Sequence, residues 1–138
     1  MMSKVFVDTN IVLDLLGQRI DFYKDSQDLF TYAIDNKVTL VVSSLTFANT
    51  NYILKEQLKL GQVRSSLRKF KTLVEVAAFD DKVLELALEE EFKDFEDGIQ
   101  YYCAMENACE AIITRNKRDF KNSAIPVLNA KEFVEMNR

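Results

Sequence analysis

The segment Lys4-Val5-Phe6-Val7-Asp8 constrains this chain more than any other. Three consecutive apolar residues, two of them β-branched, make a run too short for a helix and suited to a strand buried on both faces. No glycine or proline follows. Asp8, Thr9 and Asn10, all residue types that start helices, lead instead into residues 11–16, which are nearly all apolar. A buried strand passing directly into a buried helix is the opening of a βα unit. Its natural continuation is a parallel sheet covered by helices on both faces.

The remaining pattern agrees. Phe22, Leu29, Phe30, Ala33 and Ile34 recur at a helical period over residues 22–36, and the β-branched run 38–42 reads as a second buried strand. A helix is expected over 45–60, ended by Gly61, followed by a helical stripe through Val63, Leu67 and Phe70. Residues 74–77 read as a short strand, and Asp80 as the N-cap of a helix running to residue 91. A further helix starts at Asp94 or Phe95 and runs to Cys109. Strands at 111–114 and 126–128 and a helix over 130–136 close the chain. With 138 residues and no linker, repeat or low-complexity tract, one domain spanning residues 1–138 is expected, folded as a three-layer α/β/α sandwich.

Composition narrows the chemistry. The chain has no histidine, which removes Ser-His-Asp triads, Cys-His pairs and histidine-dependent RNA cleavage. Its two cysteines, Cys103 and Cys109, are too few for a standard structural zinc site without histidine. On one helix they would be separated by roughly 9 Å of rise, beyond the ~7 Å limit for a disulfide, so they read as reduced core residues. No apolar run approaches the ~18 residues of a membrane span. The N-terminus lacks the pattern of a signal peptide, so a cytoplasmic protein without membrane association is expected.

If the chain is an enzyme at neutral pH, carboxylates, a metal, or Lys and Tyr must therefore carry the chemistry. In open α/β sheets ligands bind beyond the carboxyl ends of the strands, where Asp8 stands. Asp8 can serve merely to start the helix, although Thr9 and Asn10 are available for that role. Asp94 and Asp97 suit the N-cap and N3 positions of a helix for purely structural reasons. The same spacing projects both acids from one helical face, and like charges that close are unfavourable until a cation neutralises them. Asp119 follows the strand Ala111-Ile112-Ile113-Thr114 in a loop on the same side of the sheet, with Thr114 and Asn116 as polar neighbours. Acids from three segments at one sheet edge, without histidine, suit a hard cation held through oxygen, Mg²⁺ or Mn²⁺.

VFVDTNIVLDLL near the start, SSLTFANTNYIL in the middle, DFEDGIQYYCAMENACEAIITRNKRDF late and IPVLNAKEF at the end together resemble a PIN-domain nuclease, similar to the VapC-type toxin ribonucleases. The resemblance runs in order through nearly the whole chain. It implies an α/β/α fold with a central parallel sheet, and Mg²⁺- or Mn²⁺-dependent hydrolysis of RNA to 5′-phosphate and 3′-hydroxyl ends. By resemblance the metal ligands are Asp8, Asp97 and Asp119. Asp94 is an auxiliary catalytic acid, and Asn10 and Thr114 are supporting polar residues. A cognate antitoxin protein and a homodimer are also implied. One position departs: where the family places a glutamate in an S-x-x-T-x-x-E pattern, this chain has Asn49. An amide oxygen can reach a metal or its water but brings no charge. Glu56 lies about 10 Å further along a helix axis and is no simple substitute.

The net charge is −4, which disfavours nonspecific nucleic-acid binding, but the charge is uneven. Arg64, Arg68 and Lys71 form a basic stripe expected opposite the apolar face of Val63, Leu67 and Phe70. Arg115, Lys117, Arg118 and Lys121 surround Asp119. Arg115, Lys117, Arg118, Arg64 and Arg68 are the candidate RNA contacts, positioning a phosphate backbone; solvated helix faces are the plain alternative. Residues 80–97 are strongly acidic and read mostly as a solvated helix. Tyr101 and Tyr102 are candidates for base stacking or for the core. Two further readings compete. With Asn49 in place of an acid, the domain is a catalytically weak or inactive RNA- or protein-binding module. Phosphatase or receiver-type phosphoryl transfer also uses strand-end aspartates, but the second acid such a phosphatase needs is Asn10 here, and the adjacent acids of a receiver are missing.

Overall fold

The computed structural model describes residues 2–89 and 92–137. The chain runs through β1 (Lys4–Val7), α1 (Thr9–Leu16), α2 (Tyr23–Ile34), β2 (Thr39–Ser43), α3 (Ser44–Leu54) and α4 (Leu60–Lys71). It continues through β3 (Glu75–Ala77), α5 (Asp81–Glu89), α6 (Phe95–Glu106), β4 (Ile112–Ile113), a short 3-10 helix (Lys117–Phe120), β5 (Val127–Leu128) and α7 (Ala130–Met136). The strands form one sheet in the order β3-β2-β1-β4-β5, with every neighbouring pair parallel.

Strand alternation divides the core into two layers. Val5, Val7, Leu40, Val42 and Ile113 face one side, packed with Ile11, Leu29, Phe30, Phe70 and Phe133 from the helices. Phe6, Val41 and Ile112 face the other, against Val83, Ile99, Cys103 and Phe120. A helix layer on each face gives the expected sandwich. The chain builds the sheet outward from β1 through β2 to β3, then returns to the other side of β1 to lay down β4 and β5. The carboxyl ends of β1 and β4 therefore meet where the winding reverses, the position at which open α/β sheets leave a crevice.

The helix boundaries differ from expectation in two places. The helix expected over 45–60 stops early, and the helix expected through Val63, Leu67 and Phe70 already starts at Leu60. α3 ends at Leu54, and α4 begins at Leu60 with Gly61 in its first turn rather than as a C-cap. The backbone N–H of Lys59 donates to Gln62 Oε1 at 3.3 Å, closing that start. α6 stops at Glu106, short of Cys109. Asn107 Nδ2 caps the Cys103 carbonyl at 2.7 Å, and Ala108 turns left-handed with φ 54°. α5 is described to Glu89; the last residues of the helix expected to reach 91 lie outside the described residues. Cys103 and Cys109 are both buried and free.

Candidate active site

Asp8 is the N-cap of α1, its side chain accepting from the backbone N–H of Thr9 at 2.9 Å. The helix-starting role and a place at the sheet's reversal point thus fall on one residue, contrary to the expectation that Thr9 or Asn10 would relieve it of capping. Asp8 is buried, 7% exposed. Thr114 Oγ1, at the end of β4, donates to Asp8 Oδ2 at 2.8 Å, and Asn10 Nδ2 reaches the same oxygen at 3.2 Å. Asn10 also donates to Thr114 Oγ1 at 3.2 Å and accepts the Arg115 N–H at 3.3 Å, tying α1 to the loop after β4. Asn116 contributes through its backbone: its N–H donates to Thr114 Oγ1 at 3.1 Å, and its carbonyl accepts the Asp119 N–H at 3.0 Å.

Sequence reasoning missed the residue holding Asp8 from the opposite side. Gln100, buried on α6, donates from Nε2 to Thr9 Oγ1 at 2.8 Å and Thr46 Oγ1 at 3.2 Å, and lies 3.5 Å from Asp8 Oδ1. Thr9 and Thr46 share a further hydrogen bond of 2.9 Å. Among the described residues Gln100 Oε1 has no partner, an orphaned acceptor beside the carboxylate. The available signal was its spacing, three residues after Asp97 and so on the same face of α6.

Asp94 caps α6, accepting from the N–H groups of Glu96 at 2.8 Å and Asp97 at 3.4 Å. Asp97 is half-buried at N3. Asp119 is exposed on the 3-10 helix. These acids feel one another. Asp97 is pushed up to about 7, first by burial and then by Asp94, Asp119, Asp8 and Glu96, each a negative neighbour. Burial also raises Asp8 against the opposing effect of its hydrogen bonds to Thr114, Thr9 and Gln100. Glu96 is raised by partial burial and by Asp94 and Asp8, with the hydrogen bond from Asn49 working the other way. Asp94, Asp97 and Asp119 line one cavity of about 980 Å³, together with Arg118, Lys121 and Tyr102.

The donor set fits a hard divalent cation in kind: carboxylate oxygens only, with mutual repulsion that such an ion would relieve. Among the described residues no three acids already converge on one point. The unpartnered Gln100 Oε1 adds a further uncompensated group on the side chain whose Nε2 lies 3.5 Å from Asp8.

The basic residues divide. Arg118 faces the acidic cavity. Arg115 is engaged elsewhere: its Nε donates to the fully buried Asp14 at 2.6 Å, and its guanidinium lies 4.1 Å from the centroid of the Phe22 ring. Lys117 pairs with Glu132 at 2.9 Å. Arg64, Arg68 and Lys71 line a separate groove of about 600 Å³ with Phe47 and Leu67, so the basic stripe adjoins part of the apolar face instead of opposing it. Tyr101 is a core residue whose hydroxyl accepts the Ala124 N–H at 3.1 Å. Tyr102 is half-buried at the cavity wall.

The family model for the PIN domain matches residues 4–118. Ribonuclease VapC1 of Aquifex aeolicus (strain VF5) is 30% identical, with the match covering 96% of this chain and 94% of that protein. VapBC2 from Rickettsia felis, solved bound to a DNA fragment from its promoter, superposes with a TM-score of 0.66 at 19% identity, over 91% of this chain and 97% of that one. A toxin–antitoxin complex from Klebsiella pneumoniae gives a TM-score of 0.65 at 23% identity, with the same coverage.

Proposed function

The chain belongs to the PIN domain family, and on that footing we propose that it is a metal-dependent endoribonuclease, the toxin of a toxin–antitoxin pair. The observation that carries the chemistry is the placement of Asp8. A buried carboxylate is fixed at the reversal point of the sheet, in electrostatic contact with Asp97 and Asp119 from two other segments. The VapC1 relative, a ribonuclease by name, supports RNA as the substrate. Neighbours solved as toxin–antitoxin complexes support an antitoxin partner.

Asp8, Asp97 and Asp119 would hold Mg²⁺ or Mn²⁺, which when bound supplies charge stabilisation at phosphorus and lowers the pKa of water. The chain's own residues supply position. Thr114, Asn10 and Gln100 fix both oxygens of Asp8, so its direction is set before any ligand arrives. A carboxylate such as Asp94 or Asp97 would accept the proton from attacking water at an Oδ atom. Asp94 holds the first turn of α6 and so aims Asp97. Arg118 and Lys121, on the cavity wall, offer charge to a phosphate backbone. Homodimer formation and a cytoplasmic location belong to the same reading. None of the described helices is long and apolar enough to cross a membrane.

The test is cleavage of a structured RNA pool with Mg²⁺, Mn²⁺ or chelator, by wild type and by Asp8→Asn. Metal-dependent cutting to 5′-phosphate ends, lost in the variant, is expected. A folded wild type that neither cuts nor binds a divalent ion overturns the assignment in favour of a binding module.

A further inference from the structure

Position 49 is where this chain departs from the family's acidic pattern, and the structure shows what stands opposite. α3 and α6 lie side by side, joined by three successive side-chain contacts. Cys103 Sγ meets Ser43 Oγ at 3.6 Å. One turn along, Gln100 Nε2 donates to Thr46 Oγ1 at 3.2 Å. A turn beyond that, Asn49 Nδ2 donates to Glu96 Oε1. Residues 43, 46 and 49 are thus matched in order by 103, 100 and 96. The first contact is buried, the second grips the Thr9 and Asp8 pair, and the third sits at the mouth of the site. Glu96 also lies within electrostatic reach of Asp8 and Asp94.

We infer that Glu96, presented by Asn49 across the α3–α6 seam, supplies the carboxylate that the family pattern places at position 49. The acid has changed helices but not location. Two facts favour this over an incidental surface contact. The amide N–H of Asn49 holds a carboxylate without repelling it, which a glutamate at that position cannot do. A glutamate at 49 would put a second negative charge against Glu96, so the two arrangements exclude each other unless a cation bridges them. Glu96 is then a candidate ligand or water-holding acid, and Asn49 a positioning residue. The inference rests on the metal-dependent reading of the Asp8 site.

Mn²⁺ binding by titration calorimetry, without RNA, separates the possibilities, with thermal unfolding of each chelated variant as the check on folding. Glu96→Gln keeps an acceptor for Asn49 but removes the charge. It is expected to weaken Mn²⁺ binding by about 10- to 100-fold with little change in melting temperature. Asn49→Ala should weaken it less. The transplanted pair Asn49→Glu with Glu96→Gln should recover most of the lost affinity and the RNA cleavage that goes with it, a rescue that no merely structural role predicts. Glu89→Gln, an exposed charge loss on α5, should change nothing. If Glu96→Gln binds Mn²⁺ and cuts RNA like wild type while Asp8→Asn does neither, the inference fails and the ribonuclease reading stands. If wild type binds no Mn²⁺, or Asp8→Asn binds it equally well, both fall.

Discussion

Removing divalent ions should give this protein an inverted pH dependence. Asp97 is raised from 3.8 to about 7 in the folded chain. A group whose folded pKa is raised contributes stability that is complete below the unfolded value and is lost as pH rises through the folded one. The chelated protein should therefore become more stable as pH falls from 7.5 to 5.5. Linkage for a single carboxyl moving between these pKa values gives about 2 kcal/mol over that interval. Asp97 is only half-buried, and solvent screening of its charge neighbours reduces this to about 1 kcal/mol, or roughly 3 °C in melting temperature for a chain of this size. Asp8 and Glu96 are shifted in the same direction and add to the slope. The window is unusually clean because the chain has no histidine to titrate within it. Urea unfolding in EDTA at pH 7.5, 6.5 and 5.5 measures the slope directly. Asp97→Asn should flatten most of it and stabilise the chelated protein at pH 7.5 by about the same 1 kcal/mol. Excess Mn²⁺ should reverse the sign, since protons and metal compete for the same oxygens. A chelated wild type that loses stability towards pH 5.5, or an Asp97→Asn variant with the wild-type slope, would refute the electrostatic description of the cluster.

Arg115→Ala should cost about 3 kcal/mol in urea unfolding by leaving buried Asp14 with only its longer 3.9 Å contact to Arg19; a loss of RNA affinity at unchanged stability would instead make Arg115 an RNA contact. Arg118→Ala should weaken RNA binding and lower its salt dependence by about one charge, with no comparable loss of stability because the side chain is exposed; equal salt slopes in wild type and variant would remove Arg118 from the RNA path. Cys103 and Cys109 are buried, and burial pushes Cys109 up to about 12. Native protein should therefore react with a thiol reagent only at its unfolding rate, and prompt labelling of either thiol at neutral pH would contradict the packing.

Sheet and helix layers were legible in the sequence because the central strands β1, β2 and β4 are short apolar, β-branched-rich runs, the pattern of strands buried on both faces. The acids Asp8, Asp94 and Asp97 were legible because their positions are set by helix starts, which local sequence specifies. What local sequence does not specify is partnership. Arg115 reads as one of four basic residues around Asp119, yet Asp14, a turn into a different helix and fully buried, claims it. Lys117 is likewise taken by Glu132 from α7. Gln100 went unnoticed because its role exists only once α6 is laid against α3. The break between α3 and α4 falls at residues 55–59, ahead of Gly61, in a stretch with no proline or glycine to signal it.

The direction in which each acid's proton affinity is displaced sorts this protein's carboxylates by role. Glu132 is lowered because it accepts the Asn129 N–H and pairs with Lys117, and Glu110 is lowered by the Ser3 hydroxyl and N–H. Those acids are satisfied by the fold and are most content when charged. Asp8, Glu96 and Asp97 are raised, each by burial together with negative neighbours. Nothing in the folding of an α/β sandwich requires Asp97 to be an acid, and the chelated chain would be more stable with an amide there, whereas Asp8 also caps α1 and accepts from Thr114 and Asn10. The repulsion is relieved only by something positive arriving from outside. Under the metal-dependent reading, stability of the metal-free fold and affinity for the cation therefore trade against each other at Asp97, while at Glu132 and Glu110 they need not. A substitution that stabilises the chelated protein and at the same time abolishes Mn²⁺ binding therefore marks a residue of the site, and one that lowers stability without touching Mn²⁺ binding marks a residue of the scaffold.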